Sequence, residues 1–76
     1  MNTTDKANAI AAALTSAGYP ARVWTGGDNV RVYVSRRLSR RNQDMGYLAI
    51  ESDGTINPNG MDRAKATIRD IAEAAI

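Results

Sequence analysis

Cysteine and histidine are both absent from this chain of 76 residues. Without cysteine, no disulfide and no thiolate metal site can staple the fold. Without histidine, the commonest general base and the commonest metal ligand are missing. Serine–histidine and cysteine–histidine nucleophilic pairs and zinc hydrolase centres are thereby excluded. The expectation is a protein that is not an enzyme and that holds no cofactor and no metal. Phenylalanine is absent as well, so the large rings are one Trp and three Tyr. No apolar run is long enough to span a bilayer. The stretch Met1-Asn2-Thr3-Thr4-Asp5 lacks the basic start and continuous apolar segment of an export signal. A cytoplasmic protein without membrane association is expected, and freedom from cysteine fits a reducing compartment.

The length leaves room for one domain, residues 1–76, whose small core makes well-formed elements essential. The net charge of +2 conceals an uneven distribution. Residues 31–41 carry Arg31, Arg36, Arg37, Arg40 and Arg41 and no acid, whereas residues 42–56 carry Asp44, Glu51 and Asp53 and no base. The positive field is concentrated in one eleven-residue stretch.

The first segment has helical periodicity, with Ala7, Ile10, Ala11 and Leu14 on one face. Thr3 or Thr4 is the expected N-cap, Gly18 the left-handed stop, and Pro20 follows the stop. Ala21 and Val23, then Val30, Val32 and Val34, alternate with Arg22, Trp24, Arg31 and Tyr33, which is the period of strands. The cluster Gly26-Gly27-Asp28-Asn29 between them predicts a β-hairpin. Setting Thr25 opposite Val30 pairs Val23 with Val32 on one face, and Trp24 with Arg31 and Arg22 with Tyr33 on the other. Ser35 to Asp44 reads as a loop or strand extension, and Gly46–Glu51 as a third strand with Leu48 and Ile50 inward. Thr55-Ile56 suggests a short return strand. Asn57-Pro58-Asn59-Gly60 reads as a break, with Asn59 capping a final helix whose inner stripe is Ala64, Ile68, Ile71 and Ala75.

The resulting order is α-β-β-β-α. The predicted fold is α+β, a two-layer sandwich of an antiparallel three-stranded sheet with two helices on one face. The predicted core is Ile10, Leu14, Val23, Val32, Val34, Leu48, Ile50, Ile68 and Ile71. Two helices cover one face of such a sheet and leave the other open. By parity the open face carries Arg22, Trp24, Arg31, Tyr33 and Tyr47. Rings and guanidinium groups on an open sheet suit base stacking and phosphate binding, and equally a protein interface or a homodimer. They also suit mutual packing as cross-strand pairs.

The second candidate is Ser35 to Gln43, where Arg36, Arg37, Arg40 and Arg41 stand with serine, Asn and Gln side chains that donate hydrogen bonds to phosphates. Arg36-Arg37-Leu38-Ser39 also matches a basophilic kinase site. Arg63, Lys65 and Arg69 beside the last loop-to-helix junction read as ordinary helix-surface charge balanced by Asp62, Asp70 and Glu73. Asp44, Glu51 and Asp53 offer at most a weak cation site near one end of the third strand.

The α-β-β-β-α order and the basic, alanine-rich segment Gly60–Ile76 resemble the double-stranded-RNA-binding domain. Asp62-Arg63-Ala64-Lys65 stands where that family has Lys-Lys-x-Ala-Lys, and Gly26-Gly27-Asp28-Asn29 stands where it has a Gly-Pro-x-His loop. Gly18-Tyr19-Pro20-Ala21-Arg22-Val23-Trp24 and Arg31-Val32-Tyr33-Val34 are similar to segments of small accessory proteins of phages and plasmids, anti-CRISPR inhibitors among them. These resemblances imply a small basic phage protein whose partner is DNA or RNA, or a nucleic-acid-handling host protein complex. The sequence therefore leads to the expectation of a nucleic-acid-binding module. The alternatives are an inhibitor engaging a host complex by protein–protein interaction through the same surface, and a structural homodimer.

Overall fold

Asn2 opens the fold, its Oδ1 accepting the Asp5 N–H at 2.8 Å and capping α1 (Thr3–Ser16). The cap thus lies one residue before the two threonines expected to supply it. Asn2 has the extended backbone that a cap needs, and both threonines are already helical. At the other end Gly18 takes φ 95°. Tyr19 N–H donates to the Leu14 carbonyl at 2.9 Å and Gly18 N–H to that of Thr15 at 3.1 Å, the paired bonds of a Schellman stop.

This computed structural model describes residues 2–26 and 29–76. After α1 come β1 (Ala21–Trp24), β2 (Val30–Arg37), β3 (Asn42–Ile50) and β4 (Ile56–Gly60), then a 3-10 turn (Asp62–Ala64) and α2 (Lys65–Ala74). The strands form one antiparallel sheet in the order β1-β2-β3-β4. The α+β class is as expected, but the sheet has four strands, not three.

The fourth strand begins at Ile56, where a short return strand is expected, and runs on through the segment expected to be a break. Ile56 pairs with Ile50, Pro58 with Leu48 and Gly60 with Gly46. Proline is admissible there because β4 is an edge strand, where half of the backbone N–H groups make no ladder bond. Asn59 consequently belongs to the sheet and does not cap α2, which starts six residues later without a side-chain cap. Three successive residues, Gly60, Met61 and Asp62, have φ of 81°, 69° and 39°. That left-handed turn reverses the chain and drops the Met61 side chain into the core before the helix can begin.

The expected hairpin register is observed, with Arg22↔Tyr33, Val23↔Val32 and Trp24↔Arg31. The ladder ends at Trp24↔Arg31, one pair short of the Thr25–Val30 pair. Of the turn cluster between the strands, Gly27 and Asp28 lie outside the described residues.

Helix α1 packs on β1 and β2, α2 packs on β4, and the helices pack on each other. Between these layers Ile10, Leu14, Val32, Val34, Leu48, Ile50 and Ile68 are fully buried. Val23 and Ile71, expected in the core, are only partly buried against it. Ala7, Ile56, Met61 and Ala72 complete it. Ile56 and Met61 enter the core because the sheet and the turn into the last helix lie where the expectation had a break.

Met45 is an extra residue in β3: Val34 pairs with Gly46 and Ser35 with Asp44. At this bulge Met45 accepts the Met61 N–H at 2.9 Å. Gly46 has φ 145°, and a Cβ there would collide with the Asn59 carbonyl. Gly46→Ala is therefore expected to destabilise the fold by at least about 1–3 kcal/mol, read as a lower midpoint in urea unfolding. Leu48→Ala, which empties a fully buried site, is expected to cost about 2–5 kcal/mol.

The turn after β3 is closed by Glu51 N–H to the Thr55 carbonyl at 2.9 Å and by Thr55 N–H to Asp53 Oδ1 at 2.9 Å. Hydrogen bonding by Thr55, through its hydroxyl and its backbone N–H, holds the Asp53 carboxyl below its ordinary value of 3.8. A folded pKa below the unfolded one contributes stability above the unfolded pKa, lost as pH falls through the folded value. Asp53→Ala should lower the thermal midpoint at neutral pH. The gap to the wild type should close as the pH is taken below the ordinary carboxylate range.

Candidate functional site

The sheet has a covered face and an open one. By strand parity the open face displays Arg22 and Trp24 from β1, Arg31, Tyr33 and Ser35 from β2, Asp44, Tyr47 and Ala49 from β3, and Asn57 and Asn59 from β4. Neither helix packs there among the described residues.

Arg31 is the centre of this face. Its guanidinium lies 5.4 Å from the centroid of the Trp24 ring and 4.6 Å from that of the Tyr47 ring. Its Nη1 donates to Tyr33 Oη at 3.4 Å. Tyr33 and Tyr47 are in turn a tilted ring pair, with centroids 5.5 Å apart and planes at 48°. The Tyr33 hydrogen bond chiefly holds the Arg31 pKa above its ordinary value; desolvation opposes this, and the phenol groups of Tyr47 and Tyr33 add to it. The side chain is therefore a permanent cation held between rings, with its Nε buried and unpartnered.

The indole of Trp24 is 42 % exposed and folds back over Gly26, where a Cβ would stand 2.7 Å from its Cζ2. Arg22 is exposed beside it, and Arg22, Val23, Trp24 and Tyr33 line a shallow groove of about 360 Å³. The five face residues expected from the alternation are thus brought together. Three of them, Arg31, Tyr33 and Tyr47, are engaged chiefly with one another.

The other four arginines lie elsewhere. The segment expected as a loop or strand extension is a hairpin in which β2 and β3 run past both outer strands. Ser35 pairs with Asp44, Arg36 with Gln43 and Arg37 with Asn42, while β1 pairs only as far as Val34 and β4 only as far as Gly46. Leu38 N–H to the Arg41 carbonyl at 2.8 Å closes the tip. The result is a two-stranded arm. Parity places Arg37 and Asn42 on the side of the open face and Arg36 and Gln43 on the side of the helices. Arg40 and Arg41 are at the tip.

All four arginines are exposed. Among the described residues none forms an ion pair, the one pair being Arg69 Nε to Glu73 Oε1 at 2.9 Å on α2. At the base of the arm Ser35 Oγ donates to Asp44 Oδ1 at 3.2 Å. The acids do not gather: Asp44 lies on the arm side of β3, while Glu51 and Asp53 lie beyond its other end. Among the described residues no group of three or more acidic side chains could hold a metal ion. Likewise none of the described helices is long and apolar enough to cross a membrane.

Asn57 and Asn59 also stand on the open face, which the composition of their segment, typical of a break, conceals. The signal in the sequence is the alternation of Ile56 and Pro58 with two asparagines. Asn57 Nδ2 donates to Glu51 Oε1 at 3.4 Å, and Asn29 Nδ2 donates to the same oxygen at 3.5 Å.

Arg31→Ala is expected to change the near-ultraviolet circular dichroism and the Trp24 emission while leaving the far-ultraviolet spectrum intact. Arg31→Lys should not restore them, because an ammonium lacks the planar group that lies between two rings. No protein-family profile matches this chain, and no characterised protein or solved structure matches it.

Proposed function

We propose that this chain is a non-catalytic nucleic-acid-binding module that engages its partner with the arginine-bearing arm. The observation that carries this reading is the four exposed arginines, unpaired among the described residues, on a ribbon that runs past the outer strands. Guanidinium groups bind phosphates through forked hydrogen bonds, and each phosphate neutralised releases counterions. The open face flanks the arm, with Arg22 exposed and Trp24 partly so. A shallow depression of about 210 Å³ connects the two, bordered by Arg22, Tyr33, Ser35, Asn42 and Asp44. Trp24 is therefore a natural reporter of binding.

The test is a titration with short DNA and RNA, single- and double-stranded, followed by Trp24 fluorescence and by anisotropy of labelled nucleic acid at several salt concentrations. Binding should weaken linearly in log–log form as salt rises. Replacing Arg36, Arg37, Arg40 and Arg41 by alanine should reduce that slope by about one for each phosphate no longer neutralised. Far-ultraviolet circular dichroism of the variant guards against unfolding. Absence of binding to every probe at low salt overturns the reading. Retention by a host protein complex after nuclease treatment would then favour the inhibitor alternative, and a concentration-dependent dimer without any ligand would favour self-association.

A further inference from the structure

The arm is the right shape for one kind of nucleic acid. It is two strands wide, and paired strands lie about 4.8 Å apart with side chains on both faces. The major groove of B-form DNA, about 12 Å wide, admits a two-stranded ribbon as it stands, whereas the minor groove, about 6 Å wide, takes strands only when the duplex is bent and the groove opened. The A-form major groove of duplex RNA is deep and narrow and closed to side chains.

The residues of the arm suit base edges as well as phosphates. Arg37 stands directly opposite Asn42 on one face of the ribbon, and Arg36 directly opposite Gln43 on the other. Arginine reads the O6/N7 edge of guanine and the amides read the N6/N7 edge of adenine, both in the major groove. Each face of the ribbon thus carries one arginine and one amide, with Arg40 and Arg41 ahead of them at the tip. None of these six side chains makes a side-chain hydrogen bond among the described residues, whereas Asp44 at the base is bonded to Ser35. Single strands need open rings on which bases stack. Here the gap between Trp24 and Tyr47 is already filled by Arg31.

Resting on the nucleic-acid reading above, we infer that the partner is B-form duplex DNA and that the Arg36–Gln43 ribbon enters its major groove. The experiment compares four probes of one sequence at fixed salt: duplex DNA, duplex RNA, single-stranded DNA, and duplex DNA whose cytosines carry glucosylated hydroxymethyl groups that fill the major groove. The unmodified duplex should bind about ten-fold or more tighter than each of the others. Distamycin, which occupies the minor groove, should leave the affinity of an A·T-containing duplex unchanged. A joint Asn42→Ala, Gln43→Ala variant, which keeps all four arginines, should retain the salt slope and lose the preference for adenine at the contacted positions while keeping that for guanine.

Equal or tighter binding to duplex RNA or to the single strand overturns the inference while leaving nucleic-acid binding in place. So does indifference to glucosylation, or displacement by distamycin. Failure to bind any probe overturns both.

Discussion

Everything in this fold is hung on the pairing of β2 with β3. It is the longest ladder, from Val30↔Ile50 to Arg37↔Asn42. Both outer strands attach to it, β1 to β2 and β4 to β3. Its inner face supplies Val32, Val34, Leu48 and Ile50 to the core, and its outer face supplies Arg31, Tyr33 and Tyr47. The bulge at Met45 divides it into two parts with different work. On one side the ladder is flanked by outer strands and backed by helices. On the other it is a bare ribbon. A bulge bends its strand and increases the local twist, so an inserted residue at the root of the arm helps set the direction in which the arm leaves the sheet. The same residue accepts the Met61 N–H, and the adjacent Gly46 lies against the Asn59 backbone where β4 ends. The end of the sheet, the turn into α2 and the root of the arm are thus coupled at one point.

Much of this is legible in the sequence, and the boundary of what is legible is physical. The first helix and its glycine stop depend on local periodicity and on one residue's backbone freedom, and both are visible in a single stretch of chain. The β1–β2 register is legible because a shift by one residue would move Val23 and Val32 to the wrong face. The fourth strand is legible only at its start, where Thr55-Ile56 suggests a return strand. Asn-Pro-Asn-Gly has the composition of a turn, and only a partner already in place, β3, makes a strand of it. The arm is half legible: Ser35 and Arg36-Arg37 continue β2 in an extended form, but no apolar alternation marks them, since neither face of a bare ribbon is buried. The unexpected core residues follow from the same end of the fold. Ile56 opens the fourth strand and Met61 follows it, while Ala72 on α2 is fully buried and Ile71 lies at the margin of the core.

The candidate site shows the same limit. Parity places Arg22, Trp24, Arg31, Tyr33 and Tyr47 on one face, and they are there. What parity cannot give is how side chains on a common face share their contacts. Trp24 and Arg31 are cross-strand partners, and so are Tyr33 and Tyr47. Cross-strand neighbours on an uncovered face bury area against one another before any ligand arrives. Arg31 between two rings, hydrogen-bonded to a third, covers apolar surface that no helix covers. It turns an open face into a small second layer in which Ala49 is buried to 7 % exposure.

That difference separates the two groups of arginines. Arg31 has its interactions within the protein, and an anion approaching it would have to displace them. The side chains of the four arm arginines make no hydrogen bond or ion pair among the described residues, and they are crowded into a short hairpin. At physiological salt the screening length is about 8 Å, so neighbouring guanidinium groups on the ribbon repel one another. The fold tolerates this because the arm is not part of the core, and the repulsion acts on exposed, well-solvated groups. A polyanion relieves it and releases counterions in the process. On the proposed function, the body of the domain, with its filled core and self-packed outer face, is a rigid mount. The recognition chemistry sits at the one place where the sheet runs on without neighbours.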